Sequence, residues 1–304
     1  SVFSECRLRR MAFVDGFCNR ISRFTSLMFL DIMLSDASSE LPMSYNQMCI
    51  RLETNFGISI SKQGISERFN EGALNYTKNL LGEYLLEQTT SNINTTWFDM
   101  FNRVIIKDST KFDVPEEMQK ELPGFGGSAS KAGCCIQYEF DIKSGQVNDL
   151  SITPASRSDR KDASETEDLV GAGDLTIRDL GYFKLKYFKT VNQNKAFFIS
   201  RLYPNIIVYY KKDTEYIEID FGKLHQTMKT SNLIILDIQA YVGSEEKLPV
   251  RLIIEPCPDE VFKKRMKNKN AFNKKKGHQT SDNFKARAMF NIYITNIPDE
   301  KING

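Results

Sequence analysis

Two stretches of this chain share one design, an apolar or β-branched run that stops at an aspartate followed by small or turn-forming residues. The first is Ile105-Ile106-Lys107-Asp108-Ser109-Thr110 and the second is Thr176-Ile177-Arg178-Asp179-Leu180-Gly181-Tyr182-Phe183. A strand that ends this way delivers a carboxylate to the edge of a sheet. Two such strands side by side can offer a pair of hard oxygen ligands to Mg²⁺ or Mn²⁺. Each aspartate taken singly also fits a plain turn after a strand, a common use of Asp. The pair, together with the elements between its members, favours the metal-ligand reading.

Composition sets the outer bounds. A chain of 304 residues with 41% hydrophobic content can bury proper cores in two or three substructures. Its formal net charge of +2 excludes a general polycation, so basicity matters only where it clusters. The six cysteines form no Cys-x-x-Cys pair and only His225 and His278 could join them, which argues against structural zinc. Reduced, buried cysteines in a cytoplasmic protein are expected. No apolar run approaches the roughly 18 residues of a membrane span, and no signal-peptide pattern opens the sequence.

Along the chain the texture changes once. Residues 12–34 carry apolar side chains at the spacing of one helix face. Ser44 with Gln47 forms a capping box for a helix to about Asn55, and Gly57 supplies a turn. Ser61 can cap the next helix, with Ile65 and Phe69 buried, and Leu74, Leu80, Leu81 and Leu85 mark a helix over 72–87. Residues 1–88 are therefore expected as an all-α domain, followed by a polar linker over 88–96. Strands are expected over 104–107, 134–142, 147–153, 175–178 and 196–201, with helices over 158–169 and 183–192. That order is the order of an RNase H-like α/β core, placed at 97–203. A β-rich insertion is expected over 204–260, then a basic segment and a return strand over 261–304.

Three features invite a nucleic-acid reading. Lys263, Lys264, Arg265, Lys267, Lys269, Lys274, Lys275 and Lys276 are eight basic residues in fourteen with no acid among them. Such density repels itself unless phosphates or counterions relieve it, although many charge runs are simply solvated faces. Residues 44–70 could form a helix-turn-helix with Lys62, Gln63, Ser66 and Arg68 facing outward, or an ordinary three-helix packing. Leu122 to Lys131 is glycine-rich but lacks Gly-Lys-Ser/Thr and precedes a strand, so it is not a phosphate-cradling P-loop; it is expected as a plain connection, with a mobile loop beside the first aspartate able to touch DNA as the alternative.

Asp-Ser-Thr at 108–110, Arg-Asp-Leu-Gly-Tyr-Phe at 178–183 and Phe198-Ile199-Ser200-Arg201-Leu202 together resemble the IS4 family of DDE transposases of bacterial insertion sequences. Residues 60–69 resemble that family's N-terminal region, and Asn291 to Asn296 the strand before its last catalytic element. The resemblance implies that Asp108 and Asp179 are catalytic and bind Mg²⁺ or Mn²⁺. It also implies double-stranded DNA as partner (transposon ends and target), a homodimer on DNA, and location at the bacterial nucleoid. In the family a further helix bears Tyr-x₂-Arg-x₃-Glu-x₆-Lys, whose Glu is the third ligand. None of the twelve tyrosines here has an arginine three positions on, and Glu300 matches nothing. The expectation is a DDE transposase whose residues 1–304 form an incomplete, inactive fragment. A truncated transposase acting as a DNA- or partner-binding inhibitor, or another RNase H-like nuclease, are the alternatives.

Overall fold

The glycines and caps of the N-terminal region divide it into short helices. The computed structural model describes residues 4–20, 22–39, 42–92, 96–126, 130–159 and 170–300, with the side chains of 89–92 and Lys276 left aside. Helices α1 (Glu5–Val14) and α2 (Ser26–Ala37) replace the continuous helix expected over 12–34. Gly16, at φ +74°, takes a left-handed conformation that ends α1, and the Thr25 side chain caps α2 by accepting from Met28 N–H. α3 (Tyr45–Phe56) has the expected Ser44/Gln47 capping box and stops at Gly57, φ +65°. α4 (Lys62–Ser66) is capped by Ser61, and α5 covers Glu71–Asn92. The face that α5 buries is Ala73, Tyr76 and Leu80, while Leu74 and Leu81 are exposed. Phe69 is also exposed rather than core, although its ring lies 5.7 Å from that of Phe29. Leu8, Phe17, Phe29, Ile32, Leu52, Ile65 and Tyr76 form the centre of this helical core.

The chain divides into two compact units, one of residues 1–94 with 140–150, the other of 95–139 with 151–304. The strands are β1 (Val104–Asp113), β2 (Gly133–Asp141), β3 (Val147–Pro154), β4 (Leu175–Arg178) and β5 (Phe197–Arg201), followed by β6 (Val208–Lys212), β7 (Glu215–Glu218), β8 (Leu236–Val242), β9 (Leu248–Pro256) and β10 (Phe290–Thr295). They form one sheet in the order β3-β2-β1-β4-β5-β10-β9-β8-β6-β7. β1, β4 and β5 are parallel neighbours, and β5–β10, β10–β9 and β9–β8 are antiparallel. The first five strands thus have the 3-2-1-4-5 arrangement of an RNase H-like core. The strands expected as a β-rich insertion extend this same sheet through β10.

Helix α6 (Leu185–Gln193) buries Tyr187, Phe188 and Val191, and Phe188 meets Phe198 of β5 with ring centroids 4.5 Å apart. α7 (Phe221–Thr230) lies within the 204–260 run expected to be β-rich. Asp220 caps it by accepting from Gly222 N–H and Lys223 N–H, and it buries Phe221 and Met228. α8 (Asp259–Lys276) carries the lysine run, and α9 (Asp282–Ala288) leads into β10. The six cysteines are unpaired as expected, but only Cys134 and Cys135 are buried, and Cys6 is exposed on α1. The helix expected over 158–169 lies outside the described residues beyond Asp159, as does part of the glycine-rich loop. No helix among the described residues is long and apolar enough to cross a membrane.

Candidate active site

The site begins with strand register. β1 pairs with β4 from Val104↔Leu175 to Lys107↔Arg178. The next residue of each strand is the aspartate of interest. β4 ends at Arg178, and Asp179 is still extended (φ −67°, ψ 163°), so it continues level with Asp108. Parallel strands run about 5 Å apart, which makes the two residues sheet neighbours. Both are exposed. One detail differs from the sequence reading: β1 does not stop at Asp108 but runs on to Asp113. The carboxylate is presented because the partner strand ends beside it.

Alternation assigns the faces. Lys107 and Arg178 point away from Asp108 and Asp179 into the protein and are only 1% and 6% exposed. Glu139 of β2, fully buried, accepts a hydrogen bond from Arg178 Nη2 at 3.4 Å across the intervening β1. The Arg178 guanidinium also lies 3.9 Å from the centroid of the Tyr187 ring, whose hydroxyl donates to Thr176 Oγ1 at 2.9 Å. The carboxylates of Asp108 and Asp179 therefore stand on a layer of paired buried charge.

On the aspartate side, the Tyr138 side chain of β2 neighbours Asp108. Burial first, then the neighbouring Asp108 carboxylate, push the Tyr138 phenol above its ordinary range. Asp108 Oδ1 also accepts from Ser109 N–H at 2.8 Å. One oxygen of the carboxylate is thus held by the backbone, with lone pairs left for a cation.

Sequence reasoning passed over Arg201. The pairing Ile177↔Ile199 of β4 with β5, carried two residues further, brings Arg201 level with Asp179 on the same sheet edge. Arg201 is exposed and borders a cleft of about 190 Å³ with Leu180, Pro204, Phe284 and Arg287. The signal in the sequence was a strand ending in a charged residue, the same signal that marked the two aspartates.

The basic residues divide by surroundings. Lys263, Lys264, Lys267, Lys274 and Lys275 are exposed along α8. Arg265 is turned inward, donating to the carbonyls of Ala288 and Phe290 and to Asn291 Oδ1. The Lys269 ammonium rests 5.1 Å from the Phe284 ring centroid and 5.6 Å from that of Phe272. The Lys276 side chain lies outside the described residues. In the helical unit Lys62 is exposed at the start of α4, whereas Arg68 follows that helix and lies over the Phe24 ring at 5.4 Å. His225 meets the Phe290 ring edge-on, a packing role.

Residues 99–298 match the family described as "Transposase DDE domain". The chain is also similar to the transposase for insertion sequence element IS231B of Bacillus thuringiensis subsp. berliner, 30% identical over 98% of this chain and 67% of that protein. It is 34% identical to the transposase for element IS231F of B. thuringiensis subsp. israelensis, over 84% of this chain and 56% of that protein. Against the transposase for element IS1151 of Clostridium perfringens it is 28% identical, over 97% of this chain and 65% of that protein. The chain thus spans about 56–67% of the length of these relatives.

Proposed function

The chain belongs to the transposase DDE domain family, and from that premise we propose that it is the catalytic part of an IS4-type transposase that cuts and joins DNA at the ends of an insertion sequence. The observation that carries this reading is the placement of Asp108 and Asp179 one residue beyond the register pair Lys107↔Arg178, on neighbouring parallel strands.

The family's chemistry requires a divalent metal ion. The donor set fits one: two exposed carboxylates on adjacent positions are hard oxygen ligands suited to Mg²⁺ or Mn²⁺. When bound, such ions activate an attacking hydroxyl or water and stabilise the oxygen that leaves phosphorus. Asp108 and Asp179 would hold them. The Ser109 N–H helps to orient the Asp108 carboxylate, and Arg201 offers a planar fork of donors to a phosphate at the same edge. Among the described residues no group of three or more His, Cys, Asp or Glu side chains is set to hold a metal. The third ligand that the resemblance implies, a glutamate, therefore has no candidate among the described residues. The exposed lysines of α8 would track backbone phosphates, Lys62 and the α3–α4 region would contribute to reading transposon ends, and the protein would act as a homodimer on DNA in the cytoplasm.

Transposition of a marked insertion sequence in cells, driven by the intact protein, tests this reading. Asp108→Asn or Asp179→Asn should each lower it by about a hundredfold or more, since loss of a ligand exceeds the 10–100-fold effect of losing an outer-shell partner. Transposition at the unaltered rate with either variant would dismiss the assignment.

A further inference from the structure

Asp159 is a third carboxylate near this edge, and its surroundings differ from those of Asp108 and Asp179. Its Oδ1 accepts from Ser109 Oγ at 3.1 Å and from Gln137 Nε2 at 3.1 Å, with Lys111 Nζ at 3.7 Å. Gln137 is fully buried on β2, and its Oε1 accepts from the hydroxyl of Tyr182. Tyr182 closes the 3₁₀ turn Leu180–Tyr182 that follows Asp179 directly, and is 2% exposed. The other carboxylate oxygen faces the middle of that turn, where a Cβ added to Gly181 would stand 3.0 Å from Asp159 Oδ2.

One carboxylate thus touches the residue after Asp108 and the turn after Asp179. We propose that Asp159 is a positioning residue, a clamp that fixes the Asp108 strand and the Asp179 turn relative to each other so that their carboxylates converge on one ion. The role of metal ligand does not suit it. Ser109 and Gln137 lie on the face of β1 and β2 opposite Asp108 and Tyr138, so Asp159 approaches the strands from behind. Its Oδ1 is already taken up by two hydrogen bonds and an ammonium group. A Cβ at Gly181 would crowd the clamp, so that Asp159 would have to give by a few tenths of an ångström. The metal part of this inference rests on the reading of Asp108 and Asp179 as ligands; the mechanical part does not.

The test uses the 304-residue chain with two readouts, backbone amide resonances of Ser109 and Leu180 without metal, and Mn²⁺ affinity by calorimetry. Ser109 N–H is bonded to Asp108 Oδ1, so its resonance reports where that carboxylate sits. Asp159→Ala should shift both amides and weaken Mn²⁺ binding by about 10-fold, the lower end of the effect of outer-shell partners. Asp159→Asn keeps an oxygen that can accept from Ser109 and Gln137, and should leave the amides in place and the affinity within about 2-fold. Gly181→Ala, with Asp159 intact, should move the same amides by crowding Oδ2, and it serves if Asp159→Ala does not fold. Unmoved amides in both Asp159→Ala and Gly181→Ala would overturn the clamp. A loss in Asp159→Asn as large as in Asp159→Ala would overturn it too, because the charge rather than the hydrogen bonds would then matter. Mn²⁺ binding that ignores Asp108→Asn would remove the metal reading, while the amide shifts still decide the clamp.

Discussion

Lys107 of β1 is the register partner of Arg178 of β4, and that one pairing puts Asp108 and Asp179 side by side at the sheet edge while both cations turn inward. The two halves of the arrangement depend on each other. Strand alternation that turns the aspartates one way turns Lys107 and Arg178 the other, and here that face is buried, with Glu139 as the anion that accepts from Arg178.

Breaking this buried layer should therefore cost stability. Glu139→Gln leaves Arg178 facing a neutral amide in a buried site, where loss of one partner typically costs about 3–5 kcal/mol. Urea unfolding of the variant should show a midpoint lowered accordingly with an unchanged slope. A change under about 0.5 kcal/mol would mean that the pair contributes little to the fold.

Tyr138 predicts a pH dependence. Its phenol is raised above the ordinary 10.0 by burial, then by the neighbouring Asp108 carboxylate. The folded state thus holds the phenol proton more tightly than the unfolded chain. Its contribution to stability is complete below about pH 10 and is lost as pH rises through the higher folded value. Stability of the wild type should fall above about pH 10, and Tyr138→Phe should fall less steeply. In Asp108→Asn the phenol should titrate closer to its ordinary value, as read by phenolate absorbance against a Tyr138→Phe reference.

The lysines of α8 should bind DNA by charge alone. Replacing Lys263, Lys264, Lys274, Lys275 and Lys276 with glutamine should weaken binding to all duplexes alike. It should also flatten the plot of log K against log salt by about 0.9 for each phosphate no longer neutralised. Lys62→Gln should instead reduce any preference for transposon ends. Unchanged affinity and salt slope in the glutamine variant would make α8 a solvated helix and nothing more.

Much of the site was legible because strands announce themselves by local pattern. β2, β3, β4 and β5 fall within a residue or two of their expected positions, and the Ser44, Gly57 and Ser61 signals mark real helix boundaries. What stayed hidden depended on partners. β1 continues through Asp108 because β2 remains beside it, which no property of Asp-Ser-Thr reveals. Helix α7 was missed because Phe221 to Thr230 has few apolar residues and depends on the Asp220 cap and on burial of Phe221 and Met228. Arg201 gained its place only from the β4–β5 register. Arg265 has the sequence surroundings of a surface cation, yet the carbonyls of Ala288 and Phe290, distant in the chain, draw it inward.

Cleavage by residues 1–304 alone is expected to be absent. Two carboxylates leave the geometry of a second ion poorly fixed, and rate depends steeply on such positioning. Incubation with duplexes carrying the element's ends in Mg²⁺ should leave them intact. Robust cleavage that Asp108→Asn abolishes would place a third ligand within this chain.

The most direct test of the central claim is a Mn²⁺ titration followed by paramagnetic broadening of backbone amides. If Asp108 and Asp179 share a cation, the amides of Ser109 and Leu180 should broaden together at the same Mn²⁺ concentration, and Asp108→Asn or Asp179→Asn should each abolish both effects. Broadening of only one of the two amides, or of both with the aspartates replaced, would contradict the shared site.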